Sequence, residues 1–163
     1  MERFLFVLTL AAAIGSGLVA GIFYAFSSFV MPALARLTAE AGLTAMQMIN
    51  RTVITPSFML AFLGTGVLCL AIMAISFTSK AGMGAALPIA ACLIYLLGSF
   101  GVTMMLNVPL NNALASTDPA SPESIEFWSG FVRDWVKWNH VRTLASLVSS
   151  TLFMLALSKS GVP

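Results

Sequence analysis

The chain is 163 residues long, the length of one domain, and carries eight Lys/Arg against six Asp/Glu for a net charge of +2. Its hydrophobic fraction of 59% and mean hydropathy of +0.96 stand well above the roughly 45–50% apolar content of soluble domains. Together these values exclude a soluble globular fold, and they exclude a nucleic-acid binder for want of a basic field. The sequence reads as an integral membrane protein.

Four runs are long enough to cross a hydrocarbon core about 30 Å thick, which takes ~20 residues. They cover about 4–34, 53–77, 87–106 and 140–158. The expected fold is an all-α membrane protein: a single domain over 1–163, a four-transmembrane-helix bundle. An additional interfacial amphipathic helix, about 122–139, precedes the last span.

The first run opens on Glu2-Arg3 and contains Ala11-Ala12-Ala13, as a signal peptide would. Its apolar stretch continues to Phe29-Val30-Met31, far beyond a signal core of about 7–15 residues, so it is read as a retained span. Gly17 and Gly21 allow close approach of another helix. That helix can belong to the bundle or to a second copy, which leaves a homo-oligomer open. Ser27 and Ser28 can bond back to the preceding turn, and Pro32 loosens the helix near its end. In the connector that follows, Leu34, Leu37, Ala41, Ala45, Met48 and Ile49 have an amphipathic spacing that predicts a short interfacial helix. Thr55-Pro56 caps and opens the second span. That span closes at Ser76–Gly84, a turn short enough to make spans two and three antiparallel neighbours. Cys69 and Cys92 fall mid-span, outside any ligand-like cluster, and read as small buried hydrophobes.

Span three is expected to end at Asn107-Val108-Pro109, because proline removes a backbone donor and disfavours helix before it. A polar loop follows, and Ser121-Pro122-Glu123 supplies a helix start signal. Beyond it Ile125, Trp128, Phe131, Val132, Trp135 and Val136 recur at three-to-four spacing, with Glu126, Arg133 and Lys137 on the opposite side. This pattern predicts a helix lying at the membrane surface, with Trp128, Trp135 and Trp138 in an interfacial aromatic belt.

With four spans, the connectors one-to-two and three-to-four share one side. Asn50, Arg51, Asn107, Asn111, Asn139, His140 and Arg142 therefore gather at one end of the bundle with Trp135 and Trp138. That side also holds Arg36, Arg133 and Lys137, against Arg3, Lys80 and Lys159 on the other. The positive-inside rule then puts the polar end in the cytoplasm, with a bacterial inner membrane as the expected location.

Asparagine in apolar surroundings gains nothing unless it is hydrogen-bonded, and arginine offers a planar fork of donors to an enolate, phenolate, carboxylate or phosphate. Arg51 and Arg142 are candidate catalytic residues on that ground. His140 joins them because histidine titrates near neutrality and can move a proton. Asn50, Asn107, Asn111, Asn139, Trp135 and Trp138 are candidate substrate-binding residues. Each also has a structural reading: arginines that snorkel to head groups, asparagines that end a span, a histidine that bonds at the interface. A lone histidine precludes a multi-histidine metal site, and no acidic cluster replaces it. No metal is expected, with a haem on His140 or a non-haem metal as the alternatives. No Gly-rich phosphate loop, nucleophile elbow or carboxylate pair is present.

Four segments taken together resemble the anthrone oxygenase-like family of small four-span membrane proteins. They are Gly17-x-x-x-Gly21-x-Phe23-x-Ala25-Phe26-Ser27-Ser28-Phe29-Val30-Met31-Pro32-Ala33-Leu34, Met46-Gln47-x-Ile49-Asn50-Arg51, Asn107-x-Pro109-Leu110-Asn111 and Trp135-x-x-Trp138-Asn139-x-x-Arg142-Thr143. The resemblance implies oxidation of a small apolar aromatic, anthrone-like or phenol-like, with O2 as co-substrate and no added cofactor. It marks Asn50, Arg51, Asn107, Pro109, Asn111, Trp138, Asn139 and Arg142 as shared positions, with His140 between them. Two other readings stand beside it. One is a binding or transport module for a small anionic or lipidic molecule. The other is an accessory subunit packed on a larger membrane complex through Gly17-x-x-x-Gly21 and the tryptophan helix.

Overall fold

The computed structural model describes residues 2–78 and 86–160. Among them the chain forms helices and no strand. In order these are α1 (Arg3–Leu34), α2 (Ala39–Thr52), α3 (Pro56–Thr78), α4 (Ala86–Ser116) and α5 (Ser124–Ser158). α1, α3, α4 and α5 are each long and apolar enough to cross a membrane, and α2 is the short helix between the first two spans. Most of the turn expected at Ser76–Gly84 lies outside the described residues.

The start signals act locally. The Thr55 hydroxyl accepts from the Phe58 N–H at 3.3 Å just ahead of Pro56, as the Thr-Pro pair predicts. Thr38 does the same for α2, accepting from the Ala41 N–H at 3.3 Å. At Ser121-Pro122-Glu123 the side chains make no cap; the Ser124 N–H bonds to the Ser121 carbonyl, and a turn leads into α5.

α1 and α5 share the most extensive contact, and α3 and α4 pack against this pair. The helices approach through small residues, as membrane helices do when no hydrophobic drive separates protein from lipid. Gly17 faces Ser150 of α5, and a methyl built there would lie 3.2 Å from its hydroxyl. The glycine face of α1 therefore serves the bundle itself at Gly17, while Gly21 has open space. Three hydroxyls on α5 reach across to neighbours: Ser150 donates to the Ala13 carbonyl, Ser149 to the Ala91 carbonyl and Ser146 to Ser99, all at 2.9 Å. The core is divided. One cluster joins Val19, Phe62, Ile72, Tyr95 and Phe153 within the bundle, and a second joins Met31, Leu43, Met46, Leu114, Trp128, Phe131 and Trp135 at the polar end.

One expected boundary is absent. α4 does not stop at Pro109 but runs on to Ser116. Immediately before Pro109 the helix widens into a π-turn over Thr103–Asn107, in which the Val108 N–H reaches back five residues to the Thr103 carbonyl. α1 repeats the device: a π-turn over Phe26–Val30, closed by the Met31 N–H on the Phe26 carbonyl, precedes Pro32. A proline lacks the N–H that a change of register would strand, and the wider turn relieves its ring from the carbonyl behind it. The amphipathic stretch runs directly into the last span, as expected, and the two form one uninterrupted helix, Ser124–Ser158, with no proline or glycine at their junction. Trp128 and Trp135 are consequently buried against α2 and the end of α1, whereas Trp138 is half-exposed beneath Lys137, whose ammonium lies 5.0 Å from its ring. Ile125, expected on the apolar face, is exposed.

A methyl at Gly98 would lie 2.6 Å from the Ala145 Cβ, an atom with no flexible side chain to swing aside. Gly98→Ala is expected to destabilise the protein by about 1–3 kcal/mol. Gly21→Ala, with nothing in reach, is expected to be neutral or slightly stabilising. Thermal unfolding of both variants in detergent checks the pair.

Candidate functional site

At the polar end the helices leave a cavity of about 270 Å³ between the two core clusters, close to the lower end of the usual range for small-molecule sites. Phe23 and Phe26 of α1, Phe58 and Phe62 of α3 and Trp135 of α5 supply aromatic walls, with Met46 and Ile49 of α2 closing one side. Ile54, Leu63 and Met104 also line it and are 68%, 44% and 49% exposed on the outside of the bundle. The cavity is therefore rimmed by apolar side chains that are exposed on the outside of the bundle near α3 and α4.

The polar atoms inside are few. Arg142 sits on the inner face of α5, only 5% exposed. Its guanidinium lies 4.2 Å from the Phe23 ring centroid and 5.1 Å from that of Trp135, so two aromatic faces cover it. Its Nη2 donates to Asn139 Oδ1 at 2.6 Å and its Nη1 to Thr103 Oγ1 at 3.3 Å. Among the described residues it has no carboxylate partner. Its Nε is buried with no acceptor, and so is Nδ2 of Asn50 across the cavity.

Asn139, one turn before Arg142 and fully buried, holds this arrangement from behind. Its Nδ2 donates to the Phe23 carbonyl at 2.6 Å and to Ser27 Oγ at 2.5 Å, tying α5 to the π-turn of α1 while its oxygen takes Arg142. A second chain of bonds fixes the other wall: Asn107 Nδ2 donates to the Trp135 carbonyl at 3.2 Å, and the Trp135 indole donates to Asn111 Oδ1 at 2.8 Å. Gln47 of α2 donates to the Leu114 and Thr117 carbonyls at 2.8 and 3.0 Å and anchors α2 over the end of α4. The result is an apolar pocket with two unsatisfied donors, an arrangement that can hold a flat molecule by its faces and an oxygen acceptor by its edge.

A family model described as anthrone oxygenase matches residues 56–152. The chain belongs to the anthrone oxygenase family. No curated protein and no solved structure matches it. The family match covers α3, α4 and most of α5, and with them Phe58, Phe62, Thr103, Asn107, Asn111, Trp135, Asn139 and Arg142; Phe23 and Asn50 lie in the part of the chain before it.

Of the side chains that the sequence singles out, Asn50, Asn111, Trp135 and Arg142 meet in the cavity. Asn107 and Asn139 are buried behind its wall. Arg51 and His140 are exposed and do not line it. Two residues along a helix put His140 about 200° from Arg142, on the far side of α5. Trp138 is outside as well. Thr103 and the phenylalanines are the residues that sequence reasoning left aside. Thr103 was readable as a hydroxyl in the third apolar run, four residues before Asn107. Phe23 and Phe26 were already within the motif of the first span. Among the described residues no three His, Cys, Asp or Glu side chains gather.

Asn139→Leu would leave the Phe23 carbonyl and Arg142 Nη2 without these partners inside the bundle. Each such group costs about 1–3 kcal/mol. The variant is expected to unfold at markedly lower temperature than wild type, measured by circular dichroism in detergent.

Proposed function

We propose that this protein is a membrane-embedded oxygenase that oxidises a small apolar aromatic, an anthrone or related phenol, using O2 and no added cofactor. The family supports the reaction class. The observation that carries the reading onto this chain is Arg142, a guanidinium with no carboxylate partner among the described residues, facing a cavity walled by five aromatic side chains.

An anthrone is flat and apolar, and its central carbon is acidic because the resulting anion is an aromatic alkoxide. Loss of that proton leaves an electron pair that the oxygen and the central carbon share. Arg142 would take the oxygen, and the aromatic walls would hold the rings. The anion then transfers its pair to O2 as a carbon–oxygen bond forms, giving a peroxide. Cleavage of the O–O bond with loss of the remaining hydrogen on that carbon gives the quinone and one water. Carbon, hydrogen and oxygen balance as one anthrone and one O2 to one anthraquinone and one water. The apolar rim near α3 and α4 would admit such a substrate from the bilayer, and the cationic residues around the polar end favour a cytoplasmic orientation in a bacterial inner membrane.

Detergent-purified protein given an anthrone is expected to consume O2 above the spontaneous rate. Arg142→Ala is expected to lower the protein-dependent rate by about 10²–10³-fold, the usual loss when one oxyanion donor is removed. His140→Gln, which alters a side chain outside the cavity, is expected to stay near the wild-type rate. Binding of aromatic ligands with no oxygen consumption on any anthrone would instead favour a carrier or binding module.

A further inference from the structure

An oxygenase of this kind needs its substrate deprotonated, and among the described residues the cavity lining holds no group that would accept the proton. Its walls carry no Asp, Glu, His, Lys or Tyr; the polar side chains are Asn50, Thr103, Asn111, Trp135 and Arg142. Thr103 already donates to the Ser99 carbonyl at 2.8 Å and receives Arg142. Asn111 Oδ1 is occupied by the Trp135 indole. His140 is exposed on the opposite side of α5. What the cavity does offer is donors: Nε of Arg142 and Nδ2 of Asn50, both buried and both without an acceptor.

Resting on the reading that this cavity is the substrate site, we propose that it receives the substrate already ionised, with Arg142 and Asn50 forming the receptor for an enolate or phenolate oxygen. The C–H or O–H bond of a membrane-dissolved substrate breaks where it meets interfacial water at the polar end, its proton goes to that water, and the electron pair enters the cavity with the anion. The protein contributes selection: the anion is the charged partner that a guanidinium removed from water lacks, while the neutral molecule leaves it with its neutral partners alone. The aromatic walls decide which anion. Phe23, Phe26, Phe58, Phe62 and Trp135 present ring faces to a flat ring system, and a charged oxygen on such a ring reaches the two donors at its edge.

The experiment uses the full chain in detergent and has two arms. The first needs no turnover: a hydroxyanthraquinone phenol that does not consume O2, its methyl ether and palmitate are titrated by tryptophan quenching and by the visible absorption of the phenolate. The phenol is expected to bind as phenolate at a pH where most of it is neutral in solution, and the ether roughly 10- to 100-fold more weakly. Asn50→Asp, which sets a carboxylate against the incoming oxygen, is expected to weaken the phenol by a similar factor and leave the ether unchanged. A bound phenol that stays neutral, or an ether that binds as tightly, overturns the proposal. Palmitate displacing the phenol at lower concentration than the phenol itself requires gives the receptor to a lipid carboxylate and overturns the aromatic assignment.

The second arm follows kcat/KM for O2 uptake against pH with two anthrones of different acidity. The midpoint is expected to move with the acidity of the anthrone. One common midpoint for both identifies a protein base and overturns the proposal. Phenolate binding without any O2 uptake refutes the oxygenase and leaves the anion receptor standing, so the two readings fail separately.

Discussion

The polar end of this molecule depends on one buried cation that has no anionic partner among the described residues. A charged side chain at membrane depth costs about 2.5–3.5 kcal/mol even on insertion scales, and Arg142 is almost wholly enclosed. Its compensation comes from neutral groups: the Asn139 carbonyl oxygen, the Thr103 hydroxyl and the faces of Phe23 and Trp135. Those groups belong to three different helices. Holding the guanidinium therefore fixes α1, α4 and α5 relative to one another, and the cavity is the space that this arrangement leaves open. A carboxylate in the same place would have satisfied the arginine and closed the site electrostatically.

Of the three π-turns among the described residues, two fit the same scheme; the third, over Tyr95–Gly101 of α4, has no proline behind it. Those two occur where a helix reaches the cavity, one over Phe26–Val30 and one over Thr103–Asn107, and both are followed at once by a proline. A π-turn shifts the angular register of everything beyond it. Phe26 and Thr103, which line the cavity, lie on these turns, and the Phe23 carbonyl that receives Asn139 is just ahead of the first. The prolines stop neither helix. Each follows a rewound turn, and α4 is also rewound over Tyr95–Gly101 without one.

Much of the fold was legible because hydropathy, length and cap residues act locally. Four spans, the short helix between the first two and the Thr55-Pro56 start all follow from runs of a few residues. The missed boundary came where a proline's effect on helix continuity depends on a distant carbonyl. Pro109 reads as a terminator unless a π-turn precedes it, and π-turns have no signature in side-chain type. The site was legible in part. Counting spans brings Asn50, Asn111, Trp135 and Arg142 to one end, but sequence position does not tell the inside of a helix from its outside. His140 and Arg51 carry suitable chemistry and stand on exposed faces. Thr103 was passed over because a single hydroxyl in an apolar run usually bonds to its own helix, as Thr103 also does.

On the proposed reading, in which an apolar substrate comes from the bilayer, the rim of Ile54, Leu63 and Met104 changes what concentration means for this protein. A pocket that opens sideways into hydrocarbon equilibrates with solute dissolved in the membrane, and an apolar aromatic is far more concentrated there than in the surrounding water. The quantity that governs occupancy is then moles of ligand per mole of lipid. Diluting the aqueous phase would barely alter it, whereas adding empty vesicles or micelles would compete for the same molecules. Saturation would accordingly follow surface dilution, with the amphiphile itself acting as a term in the rate law.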